Sequence, residues 1–305
     1  MQTQLTLRHL LLALTAVLIW GLNFVVIKYA LGDLPPLLFA LLRFTFAALP
    51  FVFFMRHPQV PWYNVAAYGV LIGVGQFGSL YIAMQNDITP GLASLIVQLH
   101  AFFTMALAML QNGDRPQRFQ IVASAIALSG MCVVGMYTDG STTLWGLFLA
   151  VFAAFSWGCA NIVGRQATLY AQASGQPINM LAYVIWSSLY AVPPLLLLSL
   201  GMEGWPRMQQ GLAHADWATW AAVFYQSWGN TIVGYGIWAW LLGRYAAASI
   251  SPLALLVPVV GMASATAFMQ EPLPAWKLIA ATLVLLGLAI NVTWPLVRTW
   301  WMRRT

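Results

Sequence analysis

The sequence predicts an all-α integral membrane protein: ten transmembrane helices, arranged as two inverted five-helix repeats, with both termini cytoplasmic. Three observations carry that prediction. The first is composition, since 61% of the 305 residues are hydrophobic and 7% are charged, against a charged share of about 25% in soluble domains. The second is a series of apolar runs, each near the roughly 20 helical residues that cross about 30 Å of hydrocarbon. The third is a motif used twice. Leu18 to Lys28 reads Leu-Ile-Trp-Gly-Leu-Asn-Phe-Val-Val-Ile-Lys, and Phe155 to Arg165 reads Phe-Ser-Trp-Gly-Cys-Ala-Asn-Ile-Val-Gly-Arg. Trp20 and Trp157, Gly21 and Gly158, and Lys28 and Arg165 match at one offset, while Asn23 and Asn161 are one place out of step. A helix pattern used twice marks an internal duplication.

Taken in order, the first run, Leu10 to Ala30, follows Arg8 and His9. It is longer than the apolar core of a signal peptide and shows no small-residue cleavage site, so it reads as a retained span. Pro36 to Phe54 is the second, and Val65 to Met84 the third, with Gly69, Gly73, Gly75 and Gly78 inside it. The fourth is Leu92 to Leu110 and the fifth Phe119 to Tyr137. The sixth, Leu144 to Gly164, carries the second copy of the motif, and Met180 to Leu200 is the seventh. Trp217 to Leu242 holds Gly229, Gly234 and Gly236; Ser249 to Met269 holds Pro252 and Pro258; Trp276 to Trp294 is the tenth. Short turns such as Leu31-Gly32-Asp33 and Asn112-Gly113-Asp114 separate them, and only the stretches around Ala171 to Pro177 and Gly201 to Asp216 are longer.

Charge placement predicts the orientation. With the N-terminus inside, Arg8, Arg56, Arg115, Arg118, Arg165, Arg244, Arg298, Arg303 and Arg304 are cytoplasmic, and only Arg207 and Lys277 are in outer loops. That is the positive-inside pattern. Asp33, Asp87, Asp139, Glu203, Asp216 and Glu271 fall outside, and Asp114 inside. Five helices per repeat, an odd number, force the second copy to enter from the opposite face. Residues 1–139 and 140–305 are then inverted repeats of one membrane domain, a recurrent plan of secondary transporters with the substrate site at the repeat interface.

Soluble and catalytic classes find little support. The chain has no GxxxxGK[ST] loop, CxxC, HExxH or GxSxG motif, and its two cysteines, Cys132 and Cys159, lie in apolar runs that suit buried thiols better than a disulfide. No metal, cofactor, nucleic acid or obligate protein partner is implied; membrane lipid and a small solute are.

The Trp-Gly pair in the first and sixth helices, Pro35-Pro36 followed by Arg43, Gly91-Leu92-Ala93-Ser94 opening the fourth, and Gly234-Tyr235-Gly236 with Pro252 and Pro258 resemble the EamA-type branch of the drug/metabolite transporter superfamily. The resemblance covers nearly the whole chain. It is greatest to bacterial inner-membrane exporters of amino acids, of the cysteine/O-acetylserine and the aromatic types. It implies ten helices and export through a central cavity lined by helices 1, 3, 4, 6, 8 and 9. Gln98 stands where many members carry a proline matching Pro258.

Polar side chains at mid-bilayer depth are costly unless they face the bundle interior. The candidates for substrate contact are Trp20, Asn23, Gln76, Ser79, Gln98, His100, Trp157, Asn161, Asn230 and Tyr235, with Gln226 one turn before Asn230 and with Trp238, like Tyr235, a weaker aromatic candidate. Each has a plainer reading as interhelical glue or core packing. Gln98 and His100, about 200° apart on an ideal helix, are not expected to face one narrow cavity; Gln98 is assigned to it, and His100 to hydrogen-bonded packing or proton coupling. The tryptophans at 62, 145, 205, 217, 276, 294, 300 and 301 fall where interfacial belts belong. Lys28 and Arg43, near the outer face, are expected to snorkel or pair with an outer acid, with substrate carboxylate binding the other reading. Glu271 caps or gates.

With no ionisable side chain other than His100 expected at the centre, the cavity suits zwitterionic or amphipathic molecules. The function predicted is export of aromatic and other neutral amino acids, and of cysteine or O-acetylserine, by alternating access across the inner membrane, with Pro258, Gly234 and Gly236 as hinges. A multidrug or other metabolite exporter of the same fold is the alternative. A channel would need a continuous polar stripe, and an enzyme a nucleophile or metal cluster at depth.

Overall fold

A computed structural model describes residues 6–112, 117–137, 142–175, 178–245 and 247–302. Those residues are overwhelmingly helical and include no β-strand. The ten predicted runs each become a helix. We number them α1 (Leu7–Ala30), α2 (Pro36–Ala48, followed by a turn of 3-10 helix at Phe51–Phe53), α3 (Trp62–Asn86), α4 (Pro90–Gln111) and α5 (Arg118–Met136). The second five are α6 (Leu144–Ala173), α7 (Met180–Glu203), α8 (217–244), α9 (Ser251–Met269) and α10 (Ala275–Met302). Among the described residues, nine helices are long and apolar enough to cross a membrane, all of these except α8. α8 is about 40 Å long at 1.5 Å per residue, but Gln226, Asn230, Thr231 and three glycines dilute its middle.

Helix ends are set by local chemistry. Thr6, Asn179 and Asp216 accept hydrogen bonds from backbone N–H groups one turn into α1, α7 and α8. Pro36 and Pro90 occupy first turns, where a missing N–H costs nothing. α6 runs past its predicted end at Gly164 to Ala173. The stretch between α7 and α8, expected to be a loop, holds a short helix, Trp205–His214, whose Gly211 lies against Pro35 in the α1–α2 turn.

The described carboxylates, Asp33, Asp87, Glu203, Asp216 and Glu271, all lie at one end of the bundle, while Arg8, Arg56, Arg118 and Arg244 lie at the other. The acidic end is tied together. Asp33 accepts from Thr219, Asp87 from Thr143 at 2.8 Å, and Glu203 from the backbone of Leu37 (2.6 Å) and Leu38 (2.9 Å). Large apolar side chains on the rim, among them Leu11, Phe54, Leu110, Leu128, Leu197 and Phe268, are exposed, as a lipid-facing surface requires. Trp62, Trp145, Trp205 and Trp217, at helix starts, and Trp294, about two turns before the end of α10, are also exposed. The predicted repeat boundary at 139 and 140 lies outside the described residues, as do Asp114, Arg115, Asp139, Arg303, Arg304 and the side chains of Arg298, Trp300 and Trp301.

The interior pairings are α1 with α8 and α9, α6 with α3 and α4, α2 with α7 and α8, α3 with α7, α4 with α9, and α5 with α10. Four helices lose regular α geometry where they meet the interior. α3 widens to π-helix over Leu71–Gly78 and α8 over Tyr225–Gly234. α4 tightens to 3-10 helix over Val97–Leu99, and α9 over Ser251–Leu255. Such interruptions concentrate at functional sites, because they re-aim side chains without ending the helix.

Candidate functional site

A cavity of about 260 Å³ opens between α1, α3, α4, α6, α8 and α9. Nine of the ten candidates line it: Trp20, Asn23, Gln76, Gln98, His100, Trp157, Asn161, Asn230 and Tyr235. Ser79 does not; it follows the π stretch of α3 directly. Gln226 is fully buried behind the wall, taking the Tyr81 hydroxyl at 3.2 Å. Of the hinge candidates, Gly234 is the clearance that Trp20 needs, because a Cβ there would stand 2.6 Å from the indole nitrogen. Pro258 lies just past the 3-10 turn of α9, in the first turn of its α segment.

One wall is a cluster of rings. Trp20 has Tyr235 at 5.5 Å and Trp238 at 5.1 Å between centroids, and its Nε1–H donates to the carbonyl of Asn230 at 3.3 Å. Across the cavity the His100 ring stacks on Trp157 at 3.7 Å, and the Asn161 amide nitrogen meets His100 Nδ1 at 3.3 Å and Thr104 Oγ1 at 3.0 Å. The repeated tryptophans thus supply both aromatic walls.

The expectation that Gln98 and His100 face apart is corrected, since both line the cavity. The 3-10 turn at Val97–Leu99 is the reason: at about 120° per residue, two residues separated by one come to about 120° of each other instead of about 160°. His100 is held by Asn161, as hydrogen-bonded packing requires.

Three amide groups bring oxygens with no protein donor: Asn23 Oδ1, Gln76 Oε1 and Asn230 Oδ1 are buried and unpaired among the described residues. Orphaned buried acceptors are uncommon in native proteins, because each forfeits its hydration for nothing. The three residues line the cavity, and each oxygen is itself shielded from solvent, so a side-chain rotation turns it toward an N–H donor there.

Of the two near-surface cations, the reading of Arg43 is corrected. Lys28, half-buried, reaches the end of α3, donating to the carbonyls of Met84 (2.9 Å) and Gln85 (2.7 Å), with no acid partner among the described residues. Arg43 does not snorkel: it is 1% exposed, with Nη1 donating to Tyr81 (2.9 Å) and Nη2 to Thr231 (3.4 Å), and its guanidinium lies 3.5 Å from the centroid of Phe77. The interior therefore holds a cation beside the cavity that position along α2 did not reveal. Glu271 accepts from Thr89 Oγ1 (2.5 Å), Gly91 N (2.9 Å) and Lys277 Nζ (3.0 Å), capping α4. Sequence reasoning also missed Tyr68, Phe24, Phe77 and Leu80 as lining residues. The helical spacing of Tyr68, Gln76 and Leu80 along α3 is a signal that could have found Tyr68 and Leu80, while Phe24 and Phe77 had none.

A polytopic helical protein enclosing a solute-sized cavity with aromatic walls and free amide acceptors defines the class of membrane carriers for small molecules. The comparisons assign the family. The model of the EamA-like transporter family matches twice, over residues 7–136 and 144–293, so the chain belongs to the EamA-like transporter family, as the sequence resemblance implied. The chain is 43% identical to the "Probable amino-acid metabolite efflux pump" of Salmonella typhimurium and 40% to that of Escherichia coli, each over 92% of this chain and 93% of the relative. It is 24% identical to the "Uncharacterized inner membrane transporter YedA" of Escherichia coli, over 90% of this chain and 87% of that one. A solved crystal structure at 17% identity superposes with a TM-score of 0.60, covering 93% of this chain and 96% of the other, and shares the fold.

Proposed function

We propose that the protein exports neutral amino acids and related metabolites from the cytoplasm across the inner membrane by alternating access, with the α1/α3/α4/α6/α8/α9 cavity as its substrate site. The observation that carries this reading is the cavity chemistry: three unpaired amide oxygens between two aromatic walls. An α-ammonium group supplies three N–H donors to such acceptors, and an apolar or aromatic side chain is covered by Trp20 and Trp157. The names of the two relatives above 40% and at 40% identity give the same substrate class. At about 260 Å³ the cavity lies below the roughly 300–1,000 Å³ of drug-sized sites, which favours a small metabolite over a multidrug role.

The architecture in this proposal is ten spans, with α8 as the tenth, in two inverted repeats covering residues 1–139 and 140–305. The helix pairings support it. If α1–α5 correspond to α6–α10, then α1–α9 has its image in α6–α4, α1–α8 in α6–α3, and α2–α8 in α7–α3, while α2–α7, α4–α9 and α5–α10 are their own images. The π stretches beside the cavity then fall on the matched pair α3 and α8 and the 3-10 turns there on α4 and α9, while the ends of the matched pair α2 and α7 differ, 3-10 at Phe51–Phe53 and π at Ser199–Glu203. Gln98 sits within the 3-10 turn of α4, whereas its sequence match Pro258 lies just past the 3-10 turn of α9. The arginine-rich end is cytoplasmic and the carboxylate end external. A carrier of this type works by rocking matched elements around the central site.

Counterflow into proteoliposomes tests the proposal. Vesicles preloaded with unlabelled phenylalanine or cysteine should accumulate the labelled amino acid, and Trp157→Ala should reduce the uptake. A folded protein that moves neither amino acid would refute the substrate assignment.

A further inference from the structure

Arg43 has more hydrogen-bonding capacity than its surroundings use. Two hydroxyls and the face of Phe77 offset part of the cost of burying its charge. Among the described residues no carboxylate is its partner, and its Nε–H is buried with no acceptor. Among the described residues the one ion pair is Lys277 with Glu271, at the acidic end. A buried cation without an anion is costly enough that proteins rarely keep one for packing alone.

Its position next to the cavity supplies the missing element. Arg43 walls a recess of about 20 Å³ together with Ser187, Ser188 and Thr231, and three of the side chains lining that recess, Tyr68, Phe77 and Tyr235, also line the main cavity. That volume holds about one water, so an anion reaches the guanidinium only when the recess joins the cavity across the side chains they share. Gly69 borders the same recess, and the π stretch of α3 begins beyond it.

We propose that Arg43 is the carboxylate-binding residue of the cavity. Nε–H and one Nη–H form a fork that matches a carboxylate's two oxygens. The inference rests on the amino-acid reading above for the identity of the substrate, and deepens it: the amide oxygens of Asn23, Gln76 and Asn230 take the ammonium end, and Arg43 the carboxylate end. A purely architectural Arg43, tying α2 to α3 and α8 through Tyr81 and Thr231, would have no preference for an acid over its amide.

The test uses the purified full-length protein and simple probes at matched ionic strength. Phenylacetate should raise the unfolding temperature by at least about 3 °C at saturation, and phenylacetamide by less than a third of that. Arg43→Gln should abolish the difference between the two, and Arg43→Lys, which keeps the charge without the fork, should reduce it by at least half. Equal shifts by acid and amide in the unaltered protein, or a full acid preference in Arg43→Gln or Arg43→Lys, would overturn the proposal. If Arg43→Gln does not fold, the Arg43→Lys comparison decides by the same criterion. Counterflow keeps the two readings apart. An acid preference without amino-acid counterflow refutes the amino-acid assignment while upholding a carboxylate site for another monocarboxylate. Counterflow without an acid preference refutes the role of Arg43 alone.

Discussion

Glu271 and Lys277 are both buried, 3.0 Å apart, and the same carboxylate caps the first turn of α4. Removing one member of a buried pair leaves an uncompensated charge. Glu271→Gln is therefore expected to destabilise the protein by about 3 kcal/mol, with Lys277→Met in the same chain recovering part of the loss; thermal unfolding in detergent of both single variants and the double variant measures the coupling. Trp157 stacks on His100 and walls the cavity. Trp157→Ala should raise the half-saturation concentration for aromatic amino acids in counterflow about three- to tenfold, the equivalent of one aromatic contact. The tryptophans, amides and His100 were legible in the sequence because polar and amphipathic side chains are rare at mid-bilayer depth. Arg43 was legible only as one of two readings. Its distance from the end of α2 resembles that of a snorkelling cation, and only the neighbours supplied by α3 and α8, Phe77, Tyr81 and Thr231, place it in the interior.

Helices were legible as apolar runs, and their irregularities were not. A π turn or a 3-10 turn is selected by packing against other helices, and the glycines of α3 and α8 permit it without specifying it. The sequence therefore misjudged which side chains of α4 share a face, and left Tyr68 and Phe77 unassigned. Glycines in these helices differ in what surrounds them. A Cβ on Gly69 would collide with the backbone of Ser187 in α7, whereas nothing lies within 4 Å of one on Gly236. Gly69→Ala should cost about 1–3 kcal/mol through overpacking, and Gly236→Ala should be neutral or slightly stabilising in the same unfolding assay. Pro258→Ala restores a backbone donor at the junction of the 3-10 and α segments of α9. It is expected to slow counterflow at least several-fold while leaving the unfolding temperature nearly unchanged; an unaltered transport rate would remove Pro258 as a hinge.

At the scale of the whole molecule, charge asymmetry carries the orientation. In a background with Cys132 and Cys159 replaced by serine, a cysteine introduced at Asn86, at the carboxylate end, should react with a membrane-impermeant maleimide in intact cells. One at Arg56, at the arginine-rich end, should react only after lysis. The opposite labelling would invert the proposed direction of the repeats. The sequence by itself determined that the chain is a helical membrane protein of the EamA-like family, where its helices fall, and which rare polar and aromatic residues are available. Those properties are local: hydropathy, helix period and residue type act along the chain, and a bilayer admits helices because it leaves no other way to satisfy the backbone. Tertiary structure alone decided that nine of those residues share one cavity, that Ser79 stands outside it, and that among the described residues three amide oxygens remain unpaired and Arg43 faces no acid. Each of these depends on how helices from the two halves of the chain rotate against one another, and π and 3-10 turns set that rotation through packing between residues far apart in sequence.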